Sequence, residues 1–189
     1  MVRLASTILL GILVALSACT TPQATPIAAP IGSFSFTGST DTDFMSHTAT
    51  LLNNGKVLVA GGWDHTSPLV SAEIYDPATG TFSSIGNMTT AHRDHTATLL
   101  NNGKVLVAGG WDKINPIASA ELYDPSTGRF SPTGNMTTAR RNYTATLLNN
   151  GKVLVAGGWD GTSSFTSAEL YDPATGTFSP TGSMTTSRS

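Results

Sequence analysis

Residues 47–64 read HTATLLNNGKVLVAGGWD, residues 95–112 repeat that string letter for letter, and residues 143–160 repeat it with Tyr143 in place of the leading His. The three starts lie 48 residues apart, and residues 47–94 differ from residues 95–142 at only 12 of 48 positions. A fixed period of this length means stacked copies of one small unit, so it outranks any local propensity. Four short strands are expected in each unit. His47–Leu52 is the first, and Asn53-Asn54-Gly55 turns the chain because Asn and Gly tolerate positive φ. Lys56–Ala60 is almost wholly apolar, as a strand covered on both faces requires. Gly61-Gly62 ends that strand where a neighbouring backbone leaves no room for a side chain. Ser71–Tyr75 is the third strand, Asp76-Pro77-Ala78-Thr79-Gly80 a turn, and Thr81–Ile85 the fourth, with Phe82 facing inward. No window carries a helical period, so the fold class is all-β. One such sheet cannot bury both its faces, whereas radially stacked copies can.

Hydrophobic residues before a Gly-Gly pair, then a spaced Tyr, then a closing aromatic, resemble the kelch repeat. The residues that carry the resemblance are Val57–Gly62, Tyr75 and Phe82, with Val105–Gly110, Tyr123 and Phe130, and Val153–Gly158, Tyr171 and Phe178. The closing aromatic of that family is more usually Trp. The resemblance implies a β-propeller: full blades at 47–94, 95–142 and 143–189. Gly32-Ser33-Phe34 and Gly38 match Gly80-Thr81-Phe82 and Gly86 at the same spacing, so 32–46 is expected to supply the lone fourth strand of a partial blade. The propeller is therefore expected to be incomplete, because kelch propellers generally have more blades than three. A truncated product is favoured over a homodimer that closes a ring of two three-bladed halves, since the strand at Phe34 would compete with the partner's strand at Phe178. Self-association through open blade edges is a further expectation.

Ahead of the repeats, Arg3, the apolar run Leu4–Leu16 and the small residues Ser17 and Ala18 form a secretory leader over 1–18. Leu16-Ser17-Ala18-Cys19 resembles the lipobox of bacterial lipoproteins, and Cys19 is the only cysteine of the chain. The resemblance implies acylation of Cys19, with residues 19–31 as a Pro-rich tether and the bacterial cell envelope, at the outer membrane or cell surface, as the location. Two or three acyl chains anchor firmly, at about 0.8 kcal/mol per buried methylene.

Charged residues make up 12% of the chain and the formal net charge is −2, which argues against nucleic acid as a partner. In a four-stranded meander, the loops after second strands and before first strands share one face. That face is expected to collect Trp63, Asp64, Trp111, Asp112, Trp159 and Asp160, together with Arg93, Arg140, Arg141 and Arg188. Differences between copies concentrate there too: residues 64–70 read DHTSPLV, 112–118 DKINPIA and 160–166 DGTSSFT. Variable loops on a constant scaffold suit recognition. The Trp rings are candidate stacking platforms or protein anchors, or else fill space beside the Gly pairs. The Asp residues read as turn caps more readily than as metal ligands, and the Arg-rich tip 139–141 as a solvated loop with interblade pairing more readily than as a receptor for carboxylates or anionic sugars. His47 and His95 occupy equivalent positions, but Tyr143 breaks the set, so no metal or other cofactor is expected. His65 and His92 show no partner in the sequence. Some kelch-fold families are enzymes, among them galactose-oxidase-like and sialic-acid-epimerase-like ones. The oxidase chemistry needs a Tyr–Cys crosslink within the propeller, and Cys19 lies outside the repeats. The expected function is a membrane-anchored, non-enzymatic scaffold that recognises a protein or glycan through one propeller face. The alternative is a truncated or inactive relative of secreted kelch-fold carbohydrate enzymes.

Overall fold

Asn-Asn-Gly and Asp-Pro-x-Thr-Gly turns reverse the chain so soon that each strand can pair only with the next one. The computed structural model describes residues 37–40 and 45–189. The leader, Cys19, the tether and the strand residues around Phe34 lie outside these described residues. The first blade holds β1 (Thr48–Leu51), β2 (Val57–Ala60), β3 (Ala72–Asp76) and β4 (Thr81–Ser84). The second holds β5 (Thr96–Leu99), β6 (Val105–Ala108), β7 (Ala120–Asp124) and β8 (Arg129–Pro132), and the third β9 (Thr144–Leu147), β10 (Val153–Ala156), β11 (Ala168–Asp172) and β12 (Thr177–Pro180). Each blade is an antiparallel meander in chain order. The first strands are neighbours, with β5 between β1 and β9, so three four-stranded blades form an arc of a propeller with those strands innermost.

Strand ends differ by a residue or so from the sequence-based bounds. Leu52 closes the turn instead of extending β1: its N–H donates to the Lys56 carbonyl at 2.8 Å and its carbonyl accepts from Gly55 at 3.0 Å. Asp76 joins β3 because it pairs with Thr81 across the second turn. Gly55 has φ +81°, as the turn demands.

The two flanks of a blade are chemically different. Leu52, Leu58, Ile74 and Met88 of blade 1 pack against Val105, Val107 and Tyr123 of blade 2. Leu100, Leu106 and Met136 of blade 2 meet Val153, Val155, Tyr171 and Phe178 of blade 3 in the same way. Each side chain so buried contributes about 1.5–3 kcal/mol, and a lone blade has nothing to bury it against. The outer flanks show the consequence. Leu148, Leu154 and Met184 on blade 3 are only half-buried, and Val57, Val59, Tyr75 and Phe82 line an open cavity of about 310 Å³ on blade 1. Phe82 does turn onto Tyr75, at 4.8 Å between ring centroids, yet it stays half-buried where Phe178 is 9% exposed.

Blade 1 is nonetheless met from its N-terminal side. Thr37 Oγ1 lies 2.6 Å from the Tyr75 hydroxyl, and the Gly38 N–H donates to the Gly80 carbonyl at 2.9 Å. Thr133 and Gly134, at the end of blade 2, make the same two contacts with Tyr171 and Gly176 of blade 3, both at 2.9 Å. Thr37 and Gly38 thus occupy the place that the end of a preceding blade takes elsewhere.

Candidate functional site

The Gly-Gly pair that ends each second strand creates the candidate face. Gly61 and Gly62 adopt φ +62° and +106°. A Cβ on the equivalent Gly109 would lie 2.8 Å from both the Arg140 carbonyl and the Tyr143 hydroxyl, so the close approach admits no side chain. The chain then bends, and the next residue pairs with the segment leading into its own blade. Trp63 bridges Met45, Trp111 bridges Arg93 and Trp159 bridges Arg141, each in antiparallel fashion.

This backbone pairing arranges a Trp–Arg rail across the blades. Arg93 lies over Trp63 with its guanidinium carbon 4.6 Å from the ring centroid. Arg141 is held between Trp111 and Trp159, at 4.2 and 4.4 Å. Asp94 ties the two cations together, its Oδ2 accepting from Arg93 Nε at 3.3 Å and Arg141 Nη1 at 3.5 Å. Such stacking contributes about 0.5–2 kcal/mol per contact. The three Trp rings, all half-buried, are thereby engaged by the protein's own arginines.

Asp64, Asp112 and Asp160 cap those loops. Asp64 Oδ1 accepts from the Thr66 and Ser67 N–H groups at 2.8 and 2.7 Å. Asp112 serves Ile114 and Asn115, both at 2.9 Å, and Asp160 serves Thr162 and Ser163, both at 2.8 Å. The Ser67 and Thr66 bonds hold the Asp64 carboxyl below its usual range, and those from Ser163 and Thr162 do the same for Asp160. Each loop apex is consequently fixed while its side chains vary: His65 (φ +70°), Lys113 (φ +101°) and Gly161 (φ +104°). Ile114 projects beside Lys113 and is 74% exposed.

Arg140 takes the interblade reading of its tip and not that of a receptor for carboxylates, for it is fully buried. Its Nη2 donates to Glu169 Oε1 at 2.8 Å and its Nη1 to the Gly157 carbonyl at 2.7 Å. His92 has partners after all. It is buried too, with Nδ1 2.7 Å from the Gly109 carbonyl and Nε2 3.6 Å from Glu121 Oε1. His92 and Arg140 are the same position of successive copies, and so are Glu121 and Glu169. These carboxylates were missed in the sequence. They also accept the backbone N–H groups of the preceding blade, Thr89 and Thr90 onto Glu121 and Thr137 and Thr138 onto Glu169. The available signal was a Glu at one offset in three otherwise apolar third strands. Burial works against the charged form of Glu121, but His92 and the Thr89 and Thr90 N–H groups outweigh it and its pKa is lowered.

The innermost row is structural as well. His95 is 7% exposed, with Nε2 2.9 Å from Thr48 Oγ1. Burial, aided by His92 and His47, pushes its pKa down to about 3, so it packs as a neutral ring. Tyr143 at the next copy donates to the Ala108 carbonyl and accepts from Thr96 Oγ1 at 3.1 Å. Among the described residues, no three His, Cys, Asp or Glu side chains converge as a metal site would require.

The Kelch motif matches residues 45–89, 92–137 and 140–185, one match per blade. Of the solved structures, a fungal alcohol oxidase of the AA5 family, in complex with copper, superposes with a TM-score of 0.56 at 20% identity. The match covers 72% of this chain and 30% of the oxidase, and at that identity it speaks for the fold alone. No curated protein matches the chain.

Proposed function

We propose that this chain, which belongs to the kelch-motif family, is a binding scaffold whose loops at 64–70, 112–118 and 160–166 recognise a protein partner. The carrying observation is the pairing of variability with rigidity. Residues 65–70 hold five of the 12 differences between the first two copies, and the capping Asp residues fix each loop on the Trp–Arg rail. Preorganised loops lose little entropy on binding, so their side chains are free to set specificity. A protein suits this face better than a glycan, because arginines already cover the Trp faces that a sugar ring would stack on. The exposed Ile114 beside Lys113 offers an apolar anchor with a cationic neighbour. Cys19 acylation and the tether at 19–31 would hold the scaffold at the bacterial cell envelope, and no reaction is assigned to it.

The test is a loop exchange. Residues 65–69 and 113–117 are both replaced by the sequence of 161–165, which leaves the capping Asp residues and the core-packed Val70 and Ala118 in place. Proximity labelling from the cell surface should lose its principal partner while circular dichroism stays unchanged. The same partner captured at equal yield would overturn the proposal. The second reading, an incomplete or inactive relative of secreted kelch-fold carbohydrate enzymes, draws on the likeness to the copper-bound oxidase. Copper uptake that vanishes on replacing His47 would favour it.

A further inference from the structure

The face opposite the variable loops is built from the Asn-Asn-Gly and Asp-Pro turns, and there the copies scarcely differ. Asn-Asn-Gly-Lys stands unchanged at 53–56, 101–104 and 149–152, and Asp-Pro-x-Thr-Gly at 76–80, 124–128 and 172–176. Two clefts of about 380 and 400 Å³ open on this face, one at each blade seam. They are copies of each other. Asn53 and Asn54 of blade 1 with Lys104, Asp124 and Pro125 of blade 2 line the first; Asn101 and Asn102 with Lys152, Asp172 and Pro173 line the second. Asn102 borders both.

The chemistry of these walls selects the ligand. Lys104 pairs with Asp124 and Lys152 with Asp172, each at 3.0 Å, so neither cleft presents a net charge from these groups. Asn54 and Asn102 each spend Oδ1 on the backbone N–H two residues ahead, at 3.1 Å, which leaves the Nδ2 group as a donor to a ligand. Leu52 and the Pro125 ring add apolar surface beside these amides in the first cleft. Amide donors, an internally neutralised ion pair and a small apolar patch fit an uncharged, hydroxyl-rich unit such as a hexose. Two clefts with the same Asn, Lys, Asp and Pro walls in succession call for a ligand that repeats as the protein does. A peptide brings a different side chain at each step, whereas a glycan chain brings the same one.

We infer that the turn face of this propeller arc binds a neutral glycan chain, with one stretch of the chain in each seam cleft. This site is separate from the variable-loop face and stands or falls independently of it. The experiment titrates the full chain with cellohexaose, maltohexaose and chitohexaose and with their monosaccharides, by calorimetry and by ¹H–¹⁵N NMR of the Asn side-chain amides. At least one hexasaccharide should bind, roughly tenfold or more tighter than its monosaccharide because two linked units reach both clefts. Shifts should fall on Asn53, Asn54, Asn101 and Asn102. The double variant N54D/N102D keeps the oxygen that caps each turn and removes the Nδ2 donor; it should weaken binding about tenfold. Silence from all three hexasaccharides overturns the proposal, as does undiminished binding by the double variant, shifts confined to residues 64–70, 112–118 and 160–166, or equal affinity for monosaccharide and hexasaccharide. Should the double variant fail to fold, the shift map on the unaltered chain decides alone.

Discussion

The seam between blades 1 and 2 and the seam between blades 2 and 3 are the same joint built twice, with different side chains at its centre. In the first, His92 faces Glu121 at 3.6 Å; in the second, Arg140 grips Glu169 at 2.8 Å. The apolar packing, the N–H groups that cradle the Glu and the bond to a Gly carbonyl are shared. A further exchange lies close by, His95 in the first seam and Tyr143 in the second. The first seam therefore carries two imidazoles where the second carries an arginine and a phenol. An array of this kind has a stability set by its units and their interfaces, so a difference at one interface is felt locally.

The largest effect should come from removing the carboxylate of the stronger pair. Glu169→Ala strands a buried guanidinium and two backbone N–H groups, and should cost about 3–5 kcal/mol. Glu121→Ala should cost less, because His92 stands 3.6 Å from its carboxylate whereas Arg140 donates to Glu169 at 2.8 Å. Urea midpoints of the two variants check the order; equal losses would mean that the His and Arg pairs are equivalent. Next is pH. His95 titrates near 6.5 when unfolded and near 3 when folded, since burial depresses its pKa. The unfolded chain then binds more protons between those values, so the seam loses stability as pH falls through that window, by about 2 kcal/mol at pH 5. Hydrogen exchange at pH 5 and pH 7 should show β2 and β5 loosening more than β6 and β9, and His95→Tyr should abolish the contrast. A pH-independent first seam would refute the assignment.

His92→Arg carries the comparison the other way. It imports the guanidinium of the second seam and should stabilise the first by about 1–2 kcal/mol through a charge-assisted bond to Glu121. The smallest effect is expected on the rail. Asp94→Ala removes a partly exposed carboxylate at 3.3 and 3.5 Å from its two arginines and should cost less than about 1 kcal/mol, visible as a small shift in melting temperature.

Much of this was legible beforehand. The Gly-Gly pair, the alternation in the third strand and the two turns predict twelve strands within a residue or two, because turn chemistry and strand period are local. The three Asp residues read correctly as caps for the same reason: their partners sit two and three positions away. The partners of Arg140 and His92 could not be named beforehand, because Glu169 and Glu121 lie 29 residues distant on the next blade. The Trp residues were left between two readings, and the arginines stacked on them lie on segments that only the fold brings alongside.

By itself the chain's lettering determined a four-stranded unit and its recurrence every 48 residues, since hydrogen-bonded turns and alternating burial act over short distances. Stacking decided everything that lies across a seam: which carboxylates are paired, which rings are covered, and which amides are left open to a ligand. Those outcomes depend on side chains that meet only once two blades have closed on one another, and no local pattern records the meeting.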